Sequence, residues 1–155
     1  MQCNMIVPRL SEFRKAARDL VRPEEVAHLI QRPLKAIEEV GGWIAAERRS
    51  GRLAFIADAA DGYDHWCSPA AVIAKGGGDC DCFSILACSL ARAGGIEAWI
   101  VLGTRDRVFG PPEPHAWVEG VDASGPWWLE ATTGRVWRSH PEGYEAVALL
   151  KEALQ

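Results

Sequence analysis

The 155-residue sequence lacks the features that mark several large classes of protein. No apolar run approaches the ~20 residues that a membrane-spanning helix needs, so we expect no contact with a membrane. No basic stretch followed by an apolar core opens the chain, so we expect no secretory signal peptide and a cytoplasmic location. The basic residues are scattered and the formal net charge is −4, which does not fit a nucleic-acid-binding protein.

The cysteines do not have the spacing of a zinc site or of a disulfide framework. There are five of them, an odd number for a chain without a visible signal peptide. We therefore expect reduced thiols. Cys67, Cys80, Cys82 and Cys88 lack paired C-x2-C knuckles, so we predict no metal and no cofactor, with a zinc site built from these thiols as the alternative.

What is present indicates a single α+β domain over residues 1–155. Apolar residues make up 48% and charged residues 25% of the chain, an ordinary globular balance. Helix patterns dominate residues 1–60, a helix followed by strands occupies 64–134, and a closing helix is predicted over 144–154. Residues 57–65 are predicted to be a loop. The predicted helices begin at Ser11, Pro23, Pro33, Ser68 and Cys80, and the predicted strands cover 96–103, 115–121 and 127–132.

Cys80 lies in the first turn of the longest predicted helix, behind three glycines and Asp79. The unsatisfied N–H groups and positive dipole end of a helix favour a thiolate, so we expect the pKa of this thiol to be lowered. The glycines, Gly78 among them, allow a substrate to approach the backbone, and the same amides are candidates to bind an oxyanion. Asp79 itself is more simply explained as the helix N-cap.

The strand that begins at His115 and the strand that carries Glu130 are joined by the turn-rich link DASGP, which predicts an antiparallel hairpin. A turn centred near Ser124 pairs residues whose numbers sum to about 247, so Glu130 faces Trp117 and lies diagonally near His115. A carboxylate there would orient the imidazole, the third role in a cysteine–histidine–acid triad.

The segments KGGGDCDCFSILACSLARAGGI, HAWVEGV and WWLEATTG together resemble the core of the transglutaminase-like superfamily, which includes bacterial transglutaminase-like cysteine proteinases. The resemblance covers about residues 64–134. It implies a papain-like fold, in which a helix that bears the nucleophile packs on an antiparallel sheet. It also implies Cys80 as nucleophile, His115 as base and Glu130 as orienting acid, with Trp66 as a weaker candidate for oxyanion binding. Two residues depart from the family pattern: Cys82 replaces an acid, and Glu130 replaces the usual aspartate.

This resemblance predicts a cysteine peptidase that forms a thioester acyl-enzyme on a protein or peptide substrate. A larger assembly is also expected, because so short a chain leaves little room for a separate substrate domain. Two alternatives remain open at this point. One is a transglutaminase that joins glutamine to an amine. The other is a binding or assembly module whose triad has decayed, in which Cys80 is a structural cysteine.

Overall fold

The computed structural model describes residues 4–6, 10–57 and 65–151, so the predicted loop at 57–65 lies almost entirely outside the described residues. The four helices are α1 (Leu10–Leu20), α2 (Glu38–Ser50), α3 (Pro69–Lys75) and α4 (Cys80–Ala93). The strands before α4 are β1 (Asn4–Ile6), β2 (Ala54–Phe55), β3 (His65–Cys67) and β4 (Gly77–Gly78). The strands after it are β5 (Glu97–Arg105), β6 (Glu113–Asp122), β7 (Gly125–Glu130), β8 (Arg135–Trp137) and β9 (Tyr144–Leu150).

The last five strands form one antiparallel sheet in the order β8-β7-β6-β5-β9. Helix α4 packs on this sheet, α2 and α3 pack on α4, and α1 packs on β3 and β9. The expected architecture is therefore confirmed: an α+β fold in which helices pack against a small antiparallel sheet. Among the described residues, no helix is both long and apolar enough to cross a membrane.

Helix α4 occupies the centre of the molecule because its sequence is apolar on almost every side. Phe83, Leu86 and Leu90 are fully buried between the sheet and the other helices. At its start, the carboxylate of Asp79 accepts hydrogen bonds from the backbone N–H groups of Asp81 and Cys82, at 3.1 and 3.2 Å. The predicted N-cap role of Asp79 is thus confirmed, and the cap holds the first turn of α4 in place.

The predicted hairpin and its register are also confirmed. Val118 pairs with Leu129 and Glu119 with Trp128, so the paired residue numbers sum to 247. Two turn residues join Asp122 to Gly125, whose φ of 109° is in the region that glycine adopts readily. This short turn fixes which residues of β6 and β7 face each other.

The predicted closing helix over 144–154 is wrong, because Tyr144–Leu150 forms strand β9 at one edge of the sheet. The segment is rich in alanine, glutamate and leucine, which favour a helix locally. Without β9, however, one edge of strand β5 would be unpaired. Strand β9 pairs with this edge, with a register shift between Leu102 and Gly103. The pairing buries Ala148 and Leu150 in the main core. Tertiary pairing therefore outweighs local propensity here.

The second and third predicted helices also differ from the structure. The segment after Pro23 forms two short 3-10 turns, Pro23–Glu25 and Ala27–Leu29, instead of one helix. The segment after Pro33 first forms bends and a turn, and α2 begins at Glu38. Leu34 explains the delay, because its backbone N–H bonds to the carbonyl oxygen of Gly94 at the end of α4. This hydrogen bond holds Leu34 against the end of α4, and the helix begins only after it.

Candidate active site

Cys80 is the first residue of α4, and its side chain faces strand β6. The backbone of Ala116, the residue that follows His115, lies close enough to the Cys80 sulfur to lower the pKa of this thiol. Cys80 is partly exposed, whereas the thiols of Cys67, Cys82 and Cys88 are buried. None of these four cysteines forms a disulfide bond in the described part of the chain. Cys80 is therefore the most accessible of the described thiols.

A cleft opens over Cys80, and two adjoining cavities form it. Their volumes are about 220 and 290 Å³, and Cys80, Pro114 and His115 line both. The first cavity, called the acidic arm, is completed by Phe13, Asp79, Asp81, Leu102 and Gly103. The second, called the basic arm, is completed by Arg48, Phe55, Arg105, Glu113 and Thr132. Cys80 and His115 thus lie together where the two arms meet.

His115 and Glu130 form a short, buried hydrogen bond across the β6–β7 hairpin. The distance from His115 Nε2 to Glu130 Oε1 is 2.6 Å, and the two side chains are only 5% and 4% exposed. Because a carboxylate only accepts hydrogen bonds, Nε2 carries a proton and donates it. The other ring nitrogen, Nδ1, is left as the acceptor of a neutral imidazole. This is the tautomer that a thiol-activating base requires.

Three residues that the sequence did not identify hold Glu130 in place. Its Oε1 atom also accepts from Arg105 Nη1 at 3.0 Å and from the Tyr144 hydroxyl at 2.8 Å. Its Oε2 atom accepts from the Thr132 hydroxyl at 2.8 Å and from the Thr132 backbone N–H at 3.3 Å. Nothing in the sequence pattern could have found Arg105 or Tyr144, which reach Glu130 from strands β5 and β9.

These contacts keep Glu130 ionised despite its burial. Burial alone would raise the pKa of this carboxyl group. The hydrogen bonds from His115, Thr132 and Tyr144 and the charge of His115 outweigh it and lower the pKa to about 2. Burial and the neighbouring Glu130 charge raise the pKa of Tyr144 to about 12, so its hydroxyl keeps the proton that it donates. The imidazole of His115 therefore faces a permanent negative charge.

Aromatic side chains hold the His115 ring in its plane. The Trp117 ring stacks on it with centroids 6.2 Å apart, and Tyr144 meets both rings edge-on, at 6.1 Å from His115 and 5.2 Å from Trp117. The indole N–H of Trp117 in turn donates to Glu119 at 2.9 Å. Restricting the ring in this way preserves its orientation towards the cleft.

The charge around Cys80 is opposite to the sequence-based expectation. Burial, and then the carboxylates of Asp81 and Asp79, raise the pKa of the Cys80 thiol. Asp81 Oδ1 lies 3.9 Å from the sulfur. The hydrogen bond from Ala116 acts in the other direction but is a smaller effect. The helix start therefore does not yield the lowered thiol pKa that its position predicted, because burial of the thiol and two neighbouring acids outweigh the effect of the helix start.

Of the weaker oxyanion candidates, Trp66 and Gly78 line neither arm of the cleft, and Asp79 lines one arm. Trp66 is fully buried and stacks on Phe13 at 5.4 Å, and its indole N–H has no hydrogen-bond partner in the described part of the chain. Gly78 is buried and pairs with Phe55 between β2 and β4. Asp79 lines the acidic arm, but its carboxylate occupies the N–H groups of Asp81 and Cys82. These amides are not available to an oxyanion.

We expect Cys80 to be alkylated by iodoacetamide ahead of Cys67 and Cys88, because those two thiols are fully buried. The alkylation rate of Cys80 should rise with pH through a midpoint above the free-thiol value of about 8.5, because a raised pKa leaves little thiolate at neutral pH. Asp81→Asn should lower this midpoint by roughly one pH unit.

Site-resolved mass spectrometry over a pH series measures both quantities, with Asp106→Asn as an exposed control of the same chemistry. A wild-type midpoint well below pH 8.5 would show instead that a thiolate–imidazolium pair forms at rest.

Comparison with known proteins shows which family and which solved structures the chain resembles. The Transglutaminase-like superfamily core matches residues 24–132 of the chain. A candidate cysteine protease from Cytophaga hutchinsonii has a similar structure, with a TM-score of 0.56, 19% identity and coverage of 92% of this chain and 44% of that one. EGTA-treated LapG from Legionella pneumophila gives a TM-score of 0.58 at 19% identity, over 92% of this chain and 82% of LapG.

LapG has also been solved with calcium bound. In residues 10–57 and 65–151 of this chain, no group of three or more His, Cys, Asp or Glu side chains is close enough together to hold a metal ion.

Curated relatives are similar over a shorter stretch. The human protein named Centrosomal protein of 76 kDa is 36% identical over 73 residues, which is 46% of this chain and 10% of that protein. The mouse protein of the same name is 31% identical over 91 residues, or 57% of this chain and 13% of that protein. The matched stretch spans about a tenth of the length of these relatives.

Proposed function

Because the chain belongs to the transglutaminase-like superfamily, we propose that it is a cysteine-nucleophile hydrolase that cleaves amide bonds in a protein or peptide substrate. The observation that supports this most strongly is the 2.6 Å hydrogen bond between His115 and Glu130, at the junction of the two arms that Cys80 also lines. Nucleophile, base and orienting acid then have the roles of an acyl-transfer triad.

In the first half of the proposed reaction, Cys80 is acylated. His115 Nδ1 takes the thiol proton while the sulfur attacks the substrate carbonyl carbon. The resulting imidazolium is stabilised by the ionised Glu130 carboxylate, which does not take the proton itself. His115 then gives the proton to the amide nitrogen, the C–N bond breaks, the amine leaves, and a thioester remains on Cys80.

In the second half, water releases the acyl group. His115 accepts a proton from water as the oxygen attacks the thioester carbon, and then returns that proton to the Cys80 sulfur as the C–S bond breaks. The backbone N–H of Cys80 is our candidate for the oxyanion donor, because the Asp79 cap takes only the amides of Asp81 and Cys82. The products are a carboxylic acid and the free thiol.

The raised pKa of Cys80 determines the form of this mechanism. At neutral pH Cys80 rests as a thiol. The proton must therefore move during the attack, as in serine hydrolases, and the hydrogen-bonded Glu130 becomes more important than it is for a preformed ion pair. We expect the rate of acylation to rise with pH as the thiol is more easily deprotonated.

A quenched-fluorescence peptide library tests the proposal directly. The wild-type chain should release fluorescence and trap a thioester that mass spectrometry locates on Cys80, while Cys80→Ala should do neither. Casein with a labelled primary amine tests the transglutaminase alternative, because acyl transfer would incorporate the amine and release ammonia. Turnover that persists in the Cys80→Ala variant would refute the assignment of the nucleophile.

A second candidate is a non-catalytic binding module. Two observations favour it: the carboxylates beside Cys80 raise its thiol pKa, and Asp79 occupies the two amides that follow Cys80 at the helix start. In the relatives named Centrosomal protein of 76 kDa, the matching stretch is likewise part of a much longer chain. If this candidate is right, the library will show no turnover.

A further inference from the structure

Arg48 is a cation at the candidate active site that the proposed reaction does not use. It lies on helix α2, and its guanidinium group sits over the ring of Phe83, 5.6 Å from the centroid. Phe83 is three residues after Cys80 on α4. Arg48 therefore lines the basic arm of the cleft together with Cys80 and His115.

The other cation of the basic arm is already neutralised. Arg105 bonds to Glu113 at 2.6 Å and to Glu130 at 3.0 Å, so two carboxylates more than offset its charge. In the described part of the chain, Arg48 forms no ion pair, and its guanidinium group packs on the ring of Phe83. A partly buried guanidinium group on an aromatic ring keeps its N–H donors available to a ligand.

The surroundings of Arg48 suit a short side chain that ends in a carboxylate. Phe55, which is 52% exposed, offers an apolar surface in the same arm, and Thr132 adds a hydroxyl-bearing side chain. Asp79 and Asp81 line the opposite arm, so carboxylates lie on one side of Cys80 and the guanidinium group of Arg48 lies on the other. A substrate with an acidic group on one side of its scissile bond is therefore held in one direction.

We propose that Arg48 is an anion-binding residue that selects acyl groups carrying a carboxylate, such as a glutamate or aspartate side chain of a polypeptide substrate. A guanidinium group binds a carboxylate through two parallel hydrogen bonds, which gives direction as well as attraction. The substrate class rests on the proposed hydrolase function. The anion site beside the Cys80 sulfur does not depend on that function.

Two small alkylating reagents test the site without any turnover. Iodoacetate and iodoacetamide both react with the thiolate. The ratio of their rates at Cys80 therefore does not depend on the fraction of the thiol that is ionised. Arg48→Gln should lower the iodoacetate-to-iodoacetamide ratio by about 3- to 10-fold at low ionic strength, a range set by Coulomb attraction at a partly exposed site. Added salt should reduce the difference, because it screens the charge.

Arg49→Gln is the matched control, because it makes the same change of charge at the next, exposed position of α2. It should leave the ratio within 1.5-fold of the wild-type value, a change of about 0.2 kcal/mol. Arg48→Lys should keep most of the preference for iodoacetate, since the positive charge remains. If Arg48→Gln weakens α2 packing, the folded Arg48→Lys and Arg48→Met variants still provide a charged and an uncharged side chain for comparison.

The outcomes separate this inference from the proposed function. A ratio that does not change in Arg48→Gln, or that changes equally in Arg49→Gln, overturns the anion site even if the chain is a hydrolase. A loss confined to the Arg48 variants establishes the site even if no hydrolysis is found. Peptidyl chloromethyl ketones that end in glutamate or glutamine extend the test to substrate: the wild-type chain should favour the glutamate reagent, and Arg48→Gln should lose that preference.

Discussion

Glu130→Gln is expected to lower turnover by roughly 10- to 1000-fold, while Cys80→Ala abolishes it. An amide at position 130 cannot supply the negative charge that supports the His115 imidazolium, and its N–H group would face the donors of Arg105 and Tyr144. Glu130→Asp should recover part of the loss, because it keeps the charge with a shorter reach. Steady-state kinetics on a peptide found with the library measure all three variants.

Glu119→Gln is the control for this result. Glu119 is the next carboxylate on β6 and bonds to the indole of Trp117 at 2.9 Å, but it does not touch the His115 ring nitrogens. It should therefore change turnover by much less than Glu130→Gln. If Glu119→Gln is the damaging change and Glu130→Gln is silent, Glu130 is not the orienting acid.

The pH dependence of stability adds a readout that does not need a substrate. The pKa of Glu130 is about 2 in the folded chain, below its ordinary value of 4.5. Its contribution to stability is therefore full above about pH 4.5 and is lost as the pH falls towards 2. Thermal melting of Glu130→Gln should show a smaller loss of stability over this interval than the wild-type chain.

Gly41→Ala is expected to destabilise the fold by roughly 2–3 kcal/mol, whereas Gly42→Ala stabilises it by about 0.5–1 kcal/mol. A methyl group at Gly41 would overlap the carbonyl oxygen of Gly134 and meet Val136 Cγ2 at 3.0 Å. A methyl group at Gly42 meets nothing within 4 Å, so only the gain in helix propensity remains. The melting temperature should fall by roughly 4–12 °C in the first variant and rise slightly in the second.

The contact at Gly41 also concerns the candidate active site. Gly134 belongs to the turn after Glu130, and its backbone N–H donates to the Glu130 carbonyl oxygen at 2.8 Å. Pushing this turn away from α2 should move the Glu130 carboxylate, so Gly41→Ala should lower turnover even at temperatures where the chain is folded. Equal melting temperatures for the two alanine variants would show that α2 and the turn do not pack this closely.

Much of the candidate site follows from short-range features of the sequence. A glycine-rich entry and an N-cap place Cys80 at a helix start, and a two-residue turn sets the hairpin register that brings Glu130 to His115. These features depend on neighbours in the chain, which is why sequence reasoning could find them. The direction in which the pKa of the Cys80 thiol is shifted could not be found in this way, because it depends on burial and on the orientation of the Asp81 carboxylate.

The sequence by itself determined the fold class, the position of Cys80 and the pairing of β6 with β7, because capping, apolar periodicity and turn length act over a few residues. Only the tertiary structure decided that Tyr144–Leu150 is a strand, since pairing with the edge of β5 outweighs the local helix preference. That pairing carries Tyr144 to Glu130, and the packing of α2 on α4 carries Arg48 to the cleft. Contacts between residues far apart in the chain depend on the whole fold, and no local pattern records them.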